Sequence, residues 1–281
     1  MTISGMAKLA GVMGWPVGHS RSPRLHGYWL AHYGIDGAYV PLAVKPENLA
    51  QALRALPVLG FAGCNITLPH KVPALAALDE VTDQARRIGA VNTVVVQAGR
   101  LVGSNTDAPG FLESLQADAP GWRAEVGPAV MLGAGGAARA VAIALLDAGV
   151  PRLTVCNRSF ARAEGLAHDL GDRAQAAPWS AAEAALADAA LLVNATSLGM
   201  QGQPSLPLDL ARLPAEAVVN DLVYSPLQTG LLAAARARGN PAVDGLGMLL
   251  HQAVPGFAAW FGRRPAVTAE LRAAVLRTLQ D

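Results

Sequence analysis

A chain of 281 residues is longer than one hydrophobic core comfortably fills, which predicts two domains with an active cleft between them. At 52% hydrophobic and 15% charged it is no disordered chain, and it has no unbroken apolar run near the roughly 18 residues that a membrane span requires. Its 22 basic and 21 acidic residues leave a formal charge of +1 with no basic run or stripe, so neither nucleic acid nor a membrane is an expected partner.

The N-terminal stretch 1–11 carries one lysine and no signal-peptide core, which predicts a cytoplasmic protein. A strand is expected at 9–13, followed by a Gly-Trp-Pro-Val-Gly turn. Ser22-Pro23 then reads as a helix start, with serine suited to capping and proline to the first turn. A strand at 38–44 precedes a helix on which Leu49, Leu53 and Leu56 form one apolar stripe. A short strand at 61–66 ends in Thr67-Leu68-Pro69. Strands at 91–96 and 101–103 flank Gln97-Ala98-Gly99-Arg100, a hairpin. This half is a mixed α/β domain with at least one antiparallel pairing.

A second pattern begins near residue 108. After a linking helix and the Pro120-Gly121 break, strands recur at 129–132, 153–156, 191–194, 218–221 and 242–243, with helical stretches between most of them. That alternation predicts a parallel sheet with helices on both faces. Two closing helices are expected, at about 246–262 and 267–280. The expected fold is therefore α/β with two domains. Residues 1–107 would form the first domain and 108–245 the second. Cys64 and Cys156 lie in separate apolar runs with no CxxC spacing and read as reduced core thiols.

The second half carries a dinucleotide signature. The strand 130–132 runs into Gly133-Ala134-Gly135-Gly136-Ala137-Ala138 and then an alanine-rich helix. Gly133 permits the tight turn, Gly135 allows backbone to approach a pyrophosphate, and Ala138 stands at the third-glycine position. The second strand ends in Asn157-Arg158-Ser159, with Arg162 one turn onward. An NAD enzyme usually places a carboxylate there. Arg158 and Arg162 instead suit the 2′-phosphate of NADP, the cofactor this segment favours.

The first half gathers polar groups at expected strand ends: His19-Ser20-Arg21-Ser22-Pro23, Asn65 to Lys71, Gly89 to Thr93, and Gly103 to Asp107. Hydroxyls, amides, one lysine and one aspartate would line a site for a polyhydroxylated carboxylate. Lysine is scarce, occurring only at 8, 45 and 71, so one inside such a segment stands out. In isolation Lys71 reads as a surface lysine, Asp107 as a helix cap and Tyr224 as loop packing. His70 reads as a solvated neighbour, and Thr93 and Asn105 as braces. His19 and His26 lack a third ligand at useful spacing, so no metal is expected.

Together the segments HSxSP, NxTxPHK, GAVNT, NTD, GAGGAARA, NRS, NATSLGM, YxPxxT and DGxxMLxxQ, running from about Gly14 to Trp260, resemble the shikimate dehydrogenase family. The resemblance implies reversible NADP-dependent reduction of 3-dehydroshikimate to shikimate, by a substrate domain of residues 1–107 completed by 246–281 and a Rossmann-type NADP-binding domain at 108–245. It implies that Lys71 and Asp107 are the catalytic acid/base pair and that Ser20, Ser22 and Tyr224 hold the substrate carboxylate. Thr67, Lys71, Asn92, Asp107 and Gln252 would surround the ring. The cofactor set would comprise Asp83, Gly133, Ala134, Gly135, Gly136, Ala137, Asn157, Arg158, Ser159, Arg162, Thr196 and Leu222, with Gly245 and Met248 facing the nicotinamide. Gly27 stands where the family commonly has Asn, and Ile66 where Val is more frequent. Two other readings stay open: a quinate or quinate/shikimate dehydrogenase using NAD(P), and a shikimate-sensing domain without turnover. The second should lack the Lys71–Asp107 pair or carry an appended DNA-binding segment. The expected partner is a small-molecule substrate, and a homodimer is left open.

Overall fold

The computed structural model describes residues 3–278 and divides into two compact units, Met1–Thr106 with Gln252–Asp281, and Asp107–His251. In the first unit β1 (Lys8–Gly14), α1 (Ser22–His32), β2 (Gly37–Ala43), α2 (Leu49–Val58), β3 (Phe61–Ile66), β4 (Glu80–Val81), α3 (Asp83–Ile88), β5 (Thr93–Gln97) and β6 (Arg100–Ser104) follow in order. The strands form one mixed sheet in the order β2-β1-β3-β5-β6-β4. β1 runs parallel to β2 and β3, whereas β5 is antiparallel to both β3 and β6. β1 reads as an apolar run rather than an alternation because residues on both its faces are buried. The leucine stripe of α2 is buried at Leu49, Leu53 and Leu56, as the spacing requires. At the β5–β6 hairpin Ala98 and Gly99 both take positive φ, 49° and 78°, the twist that a two-residue turn between right-handed strands demands.

The second unit comprises α4 (Asp107–Asp118), β7 (Ala129–Leu132), α5 (Gly136–Asp147), β8 (Leu153–Asn157), α6 (Phe160–Leu170), β9 (Ala174–Pro178), α7 (Ala182–Ala185), β10 (Leu191–Asn194), β11 (Val218–Asp221), α8 (Gly230–Ala237), β12 (Ala242–Val243) and α9 (Gly245–His251). Its six strands are all parallel, in the order β12-β11-β10-β7-β8-β9. Strand order reverses between β7 and β10, and the crevice beyond the carboxyl ends of such a pair is where open α/β sheets take ligands. α9 packs on α4 in this unit, close enough that a Cβ at Gly247 would lie 2.2 Å from Ser114 Oγ.

α10 (Ala253–Phe261) and α11 (Ala269–Arg277) return to the first unit. Trp260 Nε1 donates to Val94 O at 3.0 Å, and Trp29 Nε1 donates to Ala266 O at 3.0 Å. The single helix expected at 246–262 is thus two helices, parted at Gln252. Pro255 has no amide hydrogen to offer the carbonyl four residues back, so the ladder cannot run through. The last helix begins behind a Thr268 cap that accepts from Leu271 N; positions 279 and 280 of the expected span lie outside the described residues. β4, α3, β9 and α7 escaped the sequence reading. β9, with the sequence AQAAP, is an edge strand with neither β-branched residues nor alternation.

Cys64 and Cys156 are free and buried, and burial pushes their thiols up to about 12 and about 11. Among the described residues no helix is long and apolar enough to cross a membrane, and no cluster of His, Cys, Asp or Glu could hold a metal ion.

Candidate active site

In the first unit the polar positions are organised around Asn92, which is 2% exposed and directly precedes β5. Its Oδ1 accepts from the Thr106 amide at 2.8 Å, the Thr106 hydroxyl at 3.1 Å and the Thr93 hydroxyl at 3.0 Å. The Thr106 amide can only donate, so it must face the carboxamide oxygen. That leaves Nδ2 directed at Gln252, whose Oε1 lies 3.5 Å away. Asn65, at the end of β3, braces the same point. Its Nδ2 donates to Asn92 O at 3.0 Å and Thr93 Oγ1 at 3.2 Å, and its Oδ1 accepts from the Tyr39 hydroxyl at 2.6 Å. Asn105 Nδ2 holds the next turn through Ala90 O at 3.0 Å. Thr93 and Asn105 are braces, as the sequence suggested, and Thr106, Asn65 and Tyr39 join them unforeseen.

The segment carrying Thr67 and Lys71 leaves β3 and is tied down by its backbone. The Thr67 amide donates to Met13 O at 2.9 Å, and the Val91 amide donates to Lys71 O at 2.8 Å. Both side chains are half-buried. His70 is no solvated neighbour: it is fully buried, and its Nε2 lies 2.7 Å from Val44 O. A carbonyl can only accept, so the ring carries its proton on Nε2 and pins the loop next to Lys71. Ser22 also departs from expectation. It is the first residue of α1, after Arg21, and its hydroxyl caps nothing. The nearby turn is closed by Ser20 Oγ, which accepts from Ser22 N at 3.3 Å. The Ser22 side chain turns inward instead: burial, and then Cys64, raise the Tyr39 phenol, while a hydrogen bond with Ser22 opposes them. Asp83 opens α3 in the open and pairs with Arg86 at 3.0 Å.

In the second unit Asp107 is the first residue of α4, 7% exposed, and follows Thr106 directly. Gly133 has φ 110°, and a Cβ there would lie 2.9 Å from Ala195 O, so glycine is required. Gly135, Gly136 and Ala137 are exposed, Ala134 is half-buried, and Gly135 caps α5 without a side chain. The amides of the first helical turn are thereby presented to solvent beside a positive helix end. At the end of β8 no carboxylate stands. Asn157 Nδ2 donates to Ser159 O at 2.9 Å and turns the chain, leaving Arg158, Ser159 and Arg162 exposed. An open pocket of about 410 Å³ lies here, lined in part by Ala134, Arg139, Arg162 and His168. Arg139, missed in the sequence reading, ion-pairs with Asp169 and holds that carboxyl below its usual range.

The remaining positions cluster beyond β10 and β11. Thr196 Oγ1 donates to Asn194 Oδ1 at 2.7 Å, and the Leu222 amide donates to Asn194 O at 2.9 Å. Tyr224 and Met248 are half-buried, Met248 on α9. A Cβ at Gly245 would lie 2.2 Å from Leu222 O, so only glycine lets α9 start against this loop. These loops, the glycine turn and the arginines suit a phosphorylated dinucleotide laid across the carboxyl ends of the strands.

Three family models match the chain: one described as the shikimate dehydrogenase substrate binding domain over residues 12–94, one as shikimate / quinate 5-dehydrogenase over 123–200, and one as the shikimate 5′-dehydrogenase C-terminal domain over 245–276. The shikimate dehydrogenase (NADP(+)) of Paramagnetospirillum magneticum is 62% identical over 98% of this chain and 100% of its own. Among solved structures, the Thermus thermophilus shikimate 5-dehydrogenase in complex with NADP(H) and shikimate is 41% identical with a TM-score of 0.84, covering 97% of this chain and 98% of its own. Quinate dehydrogenase from Corynebacterium glutamicum in complex with NAD is 35% identical with a TM-score of 0.90, covering 96% and 99%.

Proposed function

The chain belongs to the shikimate dehydrogenase family, and on that premise we propose that it is a cytoplasmic enzyme reducing 3-dehydroshikimate reversibly to shikimate with NADPH, on the route to chorismate and the aromatic amino acids. The observation that carries this reading is the pairing of Asn92 with Gln252. Two amides 160 positions apart meet at 3.5 Å, with the Asn92 carboxamide orientation fixed by Thr106. Such a fixed pair presents donor and acceptor to vicinal hydroxyls, and Thr67 adds a hydroxyl to the set. Ser20 and Tyr224 hold the substrate carboxylate, and Ser22 stands beside Ser20 with its hydroxyl on Tyr39.

The cofactor fit rests on the second unit's own chemistry. The open amides at Gly135 to Ala137 suit a pyrophosphate. Arg158 and Arg162, with no carboxylate at the strand end, suit a 2′-phosphate. When bound, NADPH supplies the hydride. The carbonyl oxygen of the substrate then gains charge and needs a proton. The Lys71 ammonium stabilises and protonates it, and Asp107 orients the amine, which regains its charge by taking a proton from water by way of that carboxylate. Thr196, Leu222, Gly245 and Met248 hold the nicotinamide end.

A grid of shikimate and quinate against NADP and NAD tests the reading. The highest kcat/KM is expected for shikimate with NADP; faster turnover of quinate with NAD overturns it. The reading admits a homodimer, which light scattering tests as twice the chain mass.

A further inference from the structure

Asp221 ends β11 fully buried, and none of the roles above uses it. A carboxylate is costly to bury unless donors satisfy it, and three do so here. Oδ1 accepts from Asn194 Nδ2 at 2.9 Å and from the Val223 amide at 3.0 Å, while Oδ2 accepts from the Thr229 hydroxyl at 2.6 Å. The Thr229 oxygen accepts in turn from the Leu232 amide at 3.3 Å, capping α8, so its hydrogen is committed to Asp221. Burial raises the Asp221 carboxyl above its ordinary value, and the bonds from Thr229, Val223 and Asn194 act against that rise.

Asn194 passes this anchorage on. Its Nδ2 also donates to Leu198 O at 3.1 Å, and its Oδ1 accepts from the Thr196 amide at 3.1 Å and the Thr196 hydroxyl at 2.7 Å. Thr196 Oγ1 then accepts from the Leu198 amide at 3.0 Å. The backbone ladder already holds β11 to β10, and these bonds extend that hold past the strand ends. They close two loops beyond the strand ends, on the side of the sheet where ligand crevices open. Those loops carry Thr196, Leu222 and Tyr224.

We infer that Asp221 is a positioning residue for the hydride-transfer end of the site: its one buried carboxylate holds the 194–198 and 221–224 loops together and so sets Thr196, Leu222 and Tyr224. The inference rests on the functional reading above and adds to it a residue that touches neither substrate nor cofactor.

Asp221→Asn removes the charge at nearly constant size, Thr229→Val removes one donor, and Thr229→Ser restores it. In the ligand-free protein, amide exchange followed by NMR is expected to quicken about ten-fold at Thr196, Leu198 and Val223 in D221N and T229V, with β7 and β10 amides unchanged and T229S like the parent. Under turnover, kcat falls about ten-fold and KM for shikimate rises, the scale expected for losing a hydrogen bond to a charge, while NADP affinity, set at the 2′-phosphate end, stays within about two-fold. Combined with Tyr224→Phe, D221N is slower than either single variant but by clearly less than the product of their effects, because part of its effect runs through Tyr224. Uniformly faster exchange across the whole sheet, unchanged kcat in both D221N and T229V, or an additive cycle overturns the inference. Should D221N fail to fold, the comparison of T229V with T229S decides alone. Absent shikimate oxidation in the parent protein, or Y224F with unaltered kinetics, instead sinks the functional reading, and the exchange rates still decide the anchoring.

Discussion

Acidification from pH 7 to pH 5 is expected to cost the protein about 2 kcal/mol of stability through His26 alone. His26 lies on α1 with 0% exposure, stacked on Tyr39 at 3.9 Å and 7°, with Phe257 and Trp260 rings at 5.8 and 5.7 Å. Neither ring nitrogen has a hydrogen-bond partner among the described groups. Burial pushes the imidazole down from 6.5 to about 3, with Asn65 acting in the opposite direction. The unfolded chain therefore takes up a proton near pH 6.5 that the native state refuses until about 3, so stability is lost as pH falls through that window. At pH 5, about 1.5 units into it, the loss at roughly 1.4 kcal/mol per unit is about 2 kcal/mol, against a typical total of about 5–15 kcal/mol. Urea unfolding followed by tryptophan fluorescence at pH 7, 6 and 5 measures it, in the parent and in His26→Phe. Phe keeps the stacking and cannot titrate. Its constant packing cost drops out of the comparison, and other titrating groups contribute equally to both proteins. The parent should lose about 2 kcal/mol more than the variant over this range. Parallel pH profiles would refute the argument and mean that the native ring takes a proton without leaving its stack.

Two further outcomes concern the site. Lys71→Ala is expected to lower kcat by about a hundred-fold or more while leaving NADP binding by calorimetry nearly unchanged, since general acid catalysis of this kind is worth about that much. An unaltered kcat removes Lys71 from its role. The double substitution Arg158→Ala/Arg162→Ala should raise KM for NADP about ten-fold or more and leave KM for NAD almost unmoved, as the loss of two charge-assisted bonds to the 2′-phosphate requires. Equal losses with both cofactors would place those arginines elsewhere.

The expected strands that matter most came through because burial leaves a mark in composition. β7, β10 and β11 are fully buried and open on apolar residues, and the glycine turn after β7 starts at Gly133, whose positive φ and close approach to Ala195 O leave no room for a side chain. β9 left no such mark, since an edge strand of alanine, glutamine and proline has the composition of a loop. The α9–α10 break was masked by apolar periodicity that continues through Gln252 on either side of the interruption. His70 illustrates a different gap. A histidine between a proline and a lysine looks solvated, and only the tertiary position of Val44 O makes it a buried brace.

The motif segments themselves mix two kinds of residue that sequence alone treats as one. In GAVNT and NTD, Asn92 and Asp107 are the groups assigned to the substrate, yet Thr93 and Thr106 spend their hydroxyls on Asn92. In YxPxxT, Tyr224 is the proposed contact and Thr229 is spent on a buried carboxylate and a helix cap. The distinction follows from counting donors and acceptors. A hydroxyl has one hydrogen and two lone pairs; where the protein already takes the hydrogen, as it also does at Thr196, the residue can meet a ligand only as an acceptor or through its methyl group. Asn92 passes the same test in the opposite sense. Its oxygen receives three donors while its nitrogen faces Gln252, so the end turned toward the assigned substrate groups is fixed before any ligand arrives. Preorganisation of this kind lowers the ordering cost of binding, which is why a brace can be as indispensable to turnover as the contact it holds.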